Sequence, residues 1–272
     1  MANVISVAMQ KGGVGKTTIA IELSNFLAMT RYKTLLIDTE PQGNSSLVLL
    51  QKPHDKCLYH AFIENRPSED LIRPSRTDRL DVMPSTPMND ALANVLPGMP
   101  GGEKRLLHYL EDNHLLSSYD FIVIDCPPAL NYLTFNALQS SDFVIEPLEC
   151  SVFGESSLAL FKDTLDRYVR LSPKLKLLGA VINRYQGART LTKEAEEFAT
   201  NFFGDALFRT RIRDAQIIRE AQRDKTTIFL YAPGHAVTED FVNFCEEVLE
   251  RIELHKTLMP IPSAEVYDGG EK

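Results

Sequence analysis

A glycine-rich string near the amino terminus constrains the fold of this chain more than any other feature. The string occupies residues 10–18, QKGGVGKTT, between an apolar run and a segment with helical spacing. Glycines let consecutive backbone N–H groups turn toward one anion, and the following helix N-terminus adds its positive dipole end. The string therefore predicts a phosphate-binding loop between a strand and a helix.

The residue types inside this loop suit a nucleoside triphosphate with its metal ion. Lys16 is placed to hold the β and γ phosphates, and the Thr17 hydroxyl is placed to ligate Mg²⁺. The other residues predicted to contact the nucleotide are Lys11, Gly12, Gly13, Val14, Gly15 and Thr18. A glycine-rich turn that merely contains two lysines is the alternative, and the flanking strand and helix argue against it.

Short apolar runs alternate with segments of helical spacing along the chain. The runs cover residues 4–8, 34–37, 80–83, 121–124, 143–145 and 177–182, and helical spacing appears within residues 19–27 and 158–169. Such alternation is typical of βα units, and runs that are apolar on both faces are typical of central parallel strands. We predict an α/β fold with a doubly wound, mostly parallel sheet and helices on both faces.

Length and composition favour one domain in a reducing compartment. The 272 residues are 44% hydrophobic, which suffices for a sizeable core, and we assign residues 1–254 to one domain and 255–272 to a flexible tail. The four cysteines, Cys57, Cys126, Cys150 and Cys245, form no C-x-x-C pair, so neither a disulfide framework nor a zinc cluster is indicated. No apolar run approaches the roughly 20 residues needed to span a bilayer, so we expect a cytoplasmic protein.

Two predicted strands end in a carboxylate. Asp38 ends the run LLID and is followed by Thr39 and Glu40, and Asp125 ends the run FIVID. The carboxyl ends of parallel strands form the edge where open α/β sheets bind ligands, so both aspartates should face the phosphate loop. Either aspartate alone could instead cap a neighbouring helix. Together with the loop, they predict a Mg²⁺ site that comprises Thr17, Asp38 and Asp125.

The extra lysine of the loop gives it a family likeness. A K-G-G-x-G-K-T-T string with Lys11 resembles the deviant Walker A motif of the ParA/MinD/Fe-protein family, and the likeness to ParA proteins extends over residues 4–252. The resemblance implies that Lys11 reaches the partner's nucleotide in an ATP-bound homodimer, much as an arginine finger does. A solvated Lys11 is the alternative.

The resemblance also suggests roles for two further side chains. The family's matching segment usually reads D-x-D-P-Q-G-N, and its second aspartate orients the attacking water; this chain has Glu40 at that position. The extra methylene shifts the carboxylate, which predicts slow hydrolysis. Asn183 follows a strand where the family places a residue that contacts adenine, although an ordinary strand-ending Asn fits equally.

Two other branches of the family fit less well. The Fe-protein branch needs cysteines for a shared cluster, whereas only Cys126 follows Asp125. MinD-like members carry a basic amphipathic helix for anionic lipid, whereas the segment before the tail, EEVLERIELHK, is rich in acidic residues. We expect no membrane partner.

The densest basic region lies in the last third of an otherwise acidic chain of net charge −8. Its members are Arg209, Arg211, Arg213, Arg219, Arg223 and Lys225. Such side chains on one face of a dimer would bind DNA phosphates without reading bases. Interleaved acids leave a solvated helix face as the alternative.

The resemblance implies a cycle in which ATP closes the dimer, the dimer binds nonspecific nucleoid DNA, and a partner stimulates hydrolysis. That partner would be a ParB-like centromere-binding protein or a cargo adaptor, and the cargo would be plasmid or chromosomal DNA. A ParA-like ATPase that positions a protein cargo, such as a chemoreceptor cluster or a microcompartment, is the second hypothesis. A metabolic ATP-dependent ligase is the third, and it would require a dedicated substrate pocket.

Overall fold

The computed structural model describes residues 1–50, 54–129, 131–149, 170, 172–187 and 190–258. Within these residues the strands form one eight-stranded sheet. The strands are β1 Asn3–Val7, β2 Thr34–Asp38, β3 Arg73–Pro74, β4 Leu80–Met83, β5 Phe121–Asp125, β6 Phe143–Glu149, β7 Lys176–Tyr185 and β8 Leu207–Arg213.

The spatial order of the strands is β3-β4-β2-β5-β1-β6-β7-β8. All neighbours pair in parallel except β3, which runs antiparallel to β4 at one edge. The strand that leads into the phosphate loop, β1, therefore lies centrally between β5 and β6. This arrangement brings the carboxyl ends of β1, β2 and β5 to one edge of the sheet, where a ligand would bind.

Helices cover both faces of the sheet. They are α1 Lys16–Met29, α2 Asn44–Leu49, α3 Leu58–Ile63, α4 Ser68–Leu71, α5 Asn89–Val95, α6 Arg105–Asp112, α7 Leu115–Ser118, α8 Tyr132–Ser140, α9 Thr190–Phe203, α10 Gln216–Arg223, α11 Ile228–Tyr231 and α12 Ala236–Leu258. Alternation along β5 explains the two layers, since Val123 packs in one buried cluster with residues of α1 and α12, while Ile122 and Ile124 pack in another with α6 and α8. The predicted doubly wound α/β fold is confirmed.

The structure extends or corrects some local expectations. The predicted runs all lie in or overlap strands, but β8 and the two-residue β3 were not anticipated. Residues 96–102, expected as an irregular loop, begin and end in the 3₁₀ turns Leu96–Gly98 and Gly102–Lys104. The first of these turns closes in part through a backbone bond from Met99 N–H to the Leu96 carbonyl.

Some expectations concern residues that the structure does not describe. The predicted helical spacing within 158–169 and the thiol of Cys150 lie outside the described residues, as do residues 259–272 of the predicted tail. The last helix, α12, continues through Leu258, four residues beyond the boundary expected at 254. No helix among those described is long and apolar enough to span a bilayer.

Candidate functional site

The glycine-rich string forms a turn between β1 and α1. Gly13 and Gly15 adopt left-handed backbone conformations, with φ of 78° and 95°, which glycine reaches without steric cost. Gly15 directly precedes α1, and no side chain caps the first amides of that helix. The start of α1 therefore presents uncapped N–H groups together with the positive end of a 14-residue helix, as an anion site requires.

Lys16 lies inside the loop that it follows. Its side chain is buried, and its ammonium donates to the Lys11 carbonyl at 2.9 Å. Burial lowers the pKa of Lys16, while the negative charge of Asp125 acts in the opposite direction. A phosphate in the loop would meet a cation that is already desolvated and close to an acidic group.

The two strand-end aspartates are neighbours in the sheet. Asp38 and Asp125 are directly paired in the β2–β5 register, and both are fully buried. Burial raises the pKa of each carboxyl group, and the charge of Asp125 adds to the effect at Asp38. The raised pKa values show that the ionised forms of this adjacent pair are unfavourable without a counter-ion, so a bound cation would stabilise them.

Hydroxyl groups from α2 orient these carboxylates. Asp38 Oδ2 accepts from the Ser46 amide at 2.9 Å and from the Ser46 hydroxyl at 2.6 Å. Asp125 Oδ2 accepts from the Ser45 hydroxyl at 2.5 Å. A hydrogen bond from Thr17 also holds the Asp125 carboxylate and lowers its pKa against the effect of burial.

One carboxylate oxygen has no partner. Asp125 Oδ1 is buried and accepts no hydrogen bond from any described residue. A buried, unsatisfied carboxylate oxygen is costly unless a ligand completes it. Together with the Thr17 hydroxyl it supplies the hard oxygen donors that Mg²⁺ prefers, so the residues fit a magnesium ion.

Glu40 follows β2 and belongs to the same cluster. Its backbone N–H donates to Asp38 Oδ1 at 3.2 Å, which ties the turn after β2 to the carboxylate pair. Burial raises the pKa of the Glu40 carboxyl group, and the charge of Lys16 lowers it. The side chain is thus close enough to the loop lysine for their charges to interact.

Lys11 is directed toward another part of the sheet. Its ammonium pairs with Glu149 Oε2 at 3.4 Å, and Arg184 pairs with the other oxygen of the same carboxylate, also at 3.4 Å. The Lys11 side chain remains 38% exposed. Within one chain, therefore, Lys16 alone of the two loop lysines is buried in the loop.

Asn183 braces the loop from β7. Its side-chain amide donates to the Val14 carbonyl at 2.8 Å, and it lies so close to Gly15 that a Cβ atom there would collide with it. Position 15 therefore requires glycine for two reasons, its left-handed backbone conformation and the close approach of Asn183. Contact with a base, expected from the family resemblance, stays a prediction.

The structure separates the basic region into two groups. Arg209, Arg211 and Arg213 lie on β8 and pair with Glu250, Glu196 and Asp240 respectively. Arg219, Arg223 and Lys225 lie on α10 or in the turn after it. The Arg219 and Arg223 side chains are 60% and 73% exposed, each beside a single carboxylate.

Sequence reasoning missed the residues that support the site. Ser45 and Ser46, which orient the aspartates, follow the segment DTEPQGN, so two hydroxyls at the start of a helix were a readable signal. Gln222, whose amide donates to the Thr18 hydroxyl at 2.9 Å, is separated from it by 204 positions. No local sequence pattern predicts a contact between residues so far apart in the chain.

The loop, the helix start, the two strand-end carboxylates and the unsatisfied oxygen define a P-loop nucleoside triphosphatase. The family model described as "AAA domain" matches residues 2–177. The chain is 32% identical over 254 residues to the chromosome partitioning protein ParA of Myxococcus xanthus, covering 92% of this chain and 89% of the relative. The sporulation initiation inhibitor protein Soj of Bacillus subtilis is also 32% identical, with coverage of 91% and 98%.

These similarities establish the family. The chain belongs to the ParA family of P-loop ATPases. The fold is shared more widely: cobyrinic acid a,c-diamide synthase from Mycobacterium smegmatis, crystallised with an ATP analogue and magnesium, superposes with a TM-score of 0.77 at 22% identity, covering 96% of this chain and 99% of that one. At that identity the likeness concerns the fold alone.

Proposed function

We propose that this chain is a Mg²⁺-dependent ATPase that dimerises on ATP, binds DNA without sequence preference and positions plasmid or chromosomal DNA. The unpartnered, buried oxygen of Asp125, beside Thr17 and the loop, is the observation that supports the ATPase assignment most strongly. Similarity to proteins named for chromosome partitioning, over nine-tenths of the chain, supports the role. The protein would act in the cytoplasm, on the nucleoid.

In this proposal Lys16 and the loop amides neutralise the β and γ phosphates. Thr17 and Asp125 would hold the magnesium ion, and Asp38 would orient its hydration shell from the adjacent strand. When bound, the ion supplies charge stabilisation on the phosphate oxygens. Glu40 would position the attacking water and accept its proton, a task that suits a carboxyl group whose burial raises its pKa.

Hydrolysis should be slow in the absence of a partner protein. Glu40 carries one methylene more than the aspartate usual in the family, and catalytic geometry is sensitive to displacements of about 1 Å. Glu40→Asp is therefore expected to turn over faster in single-turnover assays, while Glu40→Gln should be nearly inactive. Equal rates for Glu40→Asp and the wild type would remove the reason to expect a penalty from the longer side chain.

Lys11 would act in the partner subunit's site. Its ammonium is partly exposed and held by a carboxylate in a charged triplet, so it can change partners without leaving a buried charge behind. Lys11→Ala should fail to dimerise with ATP and Mg²⁺ in light scattering. If the variant dimerises and hydrolyses ATP as the wild type does, the cross-subunit role is wrong.

The exposed cations of α10 are the strongest candidates for DNA contacts. The arginines of β8 each form a close ion pair with a carboxylate of α9 or α12, which reduces their attraction for phosphate. The ion pairs of Arg219 and Arg223 are longer, at 3.4 and 3.2 Å. Arg219, Arg223 and Lys225 are exposed, and a dimer would present them twice. The six basic residues would thus contribute unequally.

The test is binding to a random-sequence duplex with no nucleotide, with ADP and with ATP-Mg²⁺, over a salt series. We expect tight binding only with ATP, and a log–log salt slope of about −0.9 per phosphate contacted. Arg219→Ala/Arg223→Ala/Lys225→Ala should weaken binding and flatten the slope. The control Arg31→Ala/Lys33→Ala/Arg79→Ala removes equal charge near the amino end of β2 and should bind normally.

Absence of binding in any nucleotide state, by protein shown to bind ATP, would exclude the DNA role. The same ATPase would then be assigned to a protein cargo, and a pull-down with the product of a neighbouring gene would identify a scaffold. In either case the stimulating partner would be a ParB-like centromere-binding protein or a cargo adaptor.

A further inference from the structure

One stripe of α1 holds the segment that carries the exposed basic residues. Thr18, Glu22 and Phe26 are spaced four residues apart and therefore lie along one face of the helix. This face is turned toward α10 and α11. The helix that begins at the phosphate loop, α1, thus also packs against the segment that carries the proposed DNA-binding residues.

Each residue of the stripe contacts that segment. The Gln222 amide donates to the Thr18 hydroxyl at 2.9 Å, and the Ile228 N–H donates to Glu22 Oε1 at 3.0 Å. The rings of Phe26 and Phe229 pack with centroids 5.9 Å apart. The segment is therefore attached at three successive turns of α1.

The three contacts differ in burial. Glu22, Phe26, Ile228 and Phe229 are all buried, so the two lower contacts belong to the core. Thr18 and Gln222 are only partly buried, and their hydrogen bond lies nearest the loop. The two buried contacts therefore fix the segment in the core, whereas the partly exposed hydrogen bond between Thr18 and Gln222 is the contact most easily altered.

The hydrogen bond between Thr18 and Gln222 lies between the phosphate loop and the basic helix α10. Thr18 is adjacent to Thr17, which is hydrogen-bonded to Asp125. Gln222 is adjacent to Arg223 and three residues from Arg219, and its side chain bonds α10 directly to α1. A phosphate that reorients the Thr18 hydroxyl would alter a bond made directly by the basic helix.

We propose that Gln222 is a positioning residue that couples occupancy of the phosphate loop, through Thr18, to the placement of Arg219, Arg223 and Lys225. This inference rests on the proposed function, because it assumes that those cations bind DNA in the ATP state. A neutral hydrogen bond of this kind corresponds to a factor of about two to ten in an equilibrium. The contribution of Gln222 to the ATP dependence of DNA affinity should therefore be a factor of about two to ten.

The variant Gln222→Ala tests the coupling, with Gln216→Ala as its control. Gln216 lies on the same helix, but its amide bonds to Glu220 and not to α1. DNA affinity is measured at saturating ATP-Mg²⁺ and without nucleotide, with ATP occupancy measured separately. We expect the ratio of the two affinities to fall by about two- to tenfold in Gln222→Ala and to stay at the wild-type value in Gln216→Ala.

Hydrogen exchange gives a second measurement that needs no DNA. ATP-Mg²⁺ should slow exchange in residues 216–231 of the wild type and of Gln216→Ala, and do so much less in Gln222→Ala. An unchanged affinity ratio in Gln222→Ala, or an equal loss of affinity in every nucleotide state, would overturn the coupling role. Wild-type protein without ATP-dependent DNA binding would instead contradict the proposed function, and exchange alone would then decide the coupling.

Discussion

Buried carboxylates occur both beside the phosphate loop and on α12 beneath β8, but the two regions compensate them differently. Asp125 has one oxygen without a partner, and the nearest residue in the sheet register is another aspartate. Glu247 accepts from the N–H groups of Arg209 and Thr210 and pairs with Arg251 at 2.9 Å. Both side chains are buried, but Glu247 accepts more hydrogen bonds than Asp125 does.

The pKa values reflect this difference. Burial raises the pKa of both aspartates, and the hydroxyl donors do not reverse it. Burial acts in the same direction on Glu247, but the two backbone N–H groups and Arg251 outweigh it and lower the pKa. The donors around Glu247 stabilise its ionised form within the fold, whereas the ionised forms of Asp38 and Asp125 lack such compensation and would be stabilised by a bound cation.

The largest effect is expected from Asp125→Asn, which removes a carboxylate from the pair beside the phosphate loop. Turnover with ATP-Mg²⁺ should fall by about two to three orders of magnitude, because the ion that stabilises charge on the phosphates would lose a carboxylate that holds it. The melting temperature of the nucleotide-free protein should not fall, because a buried, uncompensated charge disappears. A clear loss of stability would contradict the assignment of Asp125 to ligand binding.

Glu247→Ala should have the opposite pattern. Removal of the acceptor leaves two β8 amides and Arg251 without their partner, at a cost of about 3 kcal/mol in unfolding free energy. Chemical denaturation would measure the cost, and the melting temperature should fall by about 2–4 °C for each kcal/mol. Well below the melting temperature of the variant, nucleotide binding should be unchanged. A weakened nucleotide affinity would contradict the view that Glu247 serves the fold and not the nucleotide site.

Glu22→Gln tests a third buried carboxyl group, which lies on α1. Burial raises the pKa of Glu22 to about 8, so the folded state binds a proton that the unfolded state releases above its ordinary value. Wild-type stability should therefore fall as pH rises from about 4.5 to 8, by at most about 1.4 kcal/mol per pH unit. The glutamine variant should lose this part of the slope in denaturation series; an unaltered slope would show that Glu22 ionises freely.

The smallest effect on stability is expected from Arg209, at the exposed edge of the group of donors around Glu247. Arg209 reaches Glu247 at 3.6 Å, but its side chain is 71% exposed. Exposed ion pairs contribute little because water and salt screen them. Arg209→Ala should melt at the wild-type temperature, and a large decrease would mean that Glu247 depends on this side chain more than on the β8 amides.

Prediction from the sequence succeeded where the signal was local. The glycine string, the strands that end in Asp38 and Asp125, and the mostly parallel sheet all follow from contiguous patterns. The strand β8 was missed because alternating arginines in LFRTRIR hide its apolar residues, and their charges are neutralised only by α9 and α12. Its core contacts, such as Phe208 against Phe244, join distant parts of the chain.

By itself, the sequence determined the class of site. Residues 10–18 form a phosphate-loop motif between an apolar run and a segment of helical spacing, and acids at the ends of two parallel strands meet at one edge of the sheet. Tertiary structure decided which groups are compensated. How well the ionised form of a buried carboxylate is stabilised depends on donors from other elements, such as Ser45 for Asp125 and Arg251 for Glu247. The link between Gln222 and Thr18 likewise exists only because α10 packs against the helix that starts at the phosphate loop.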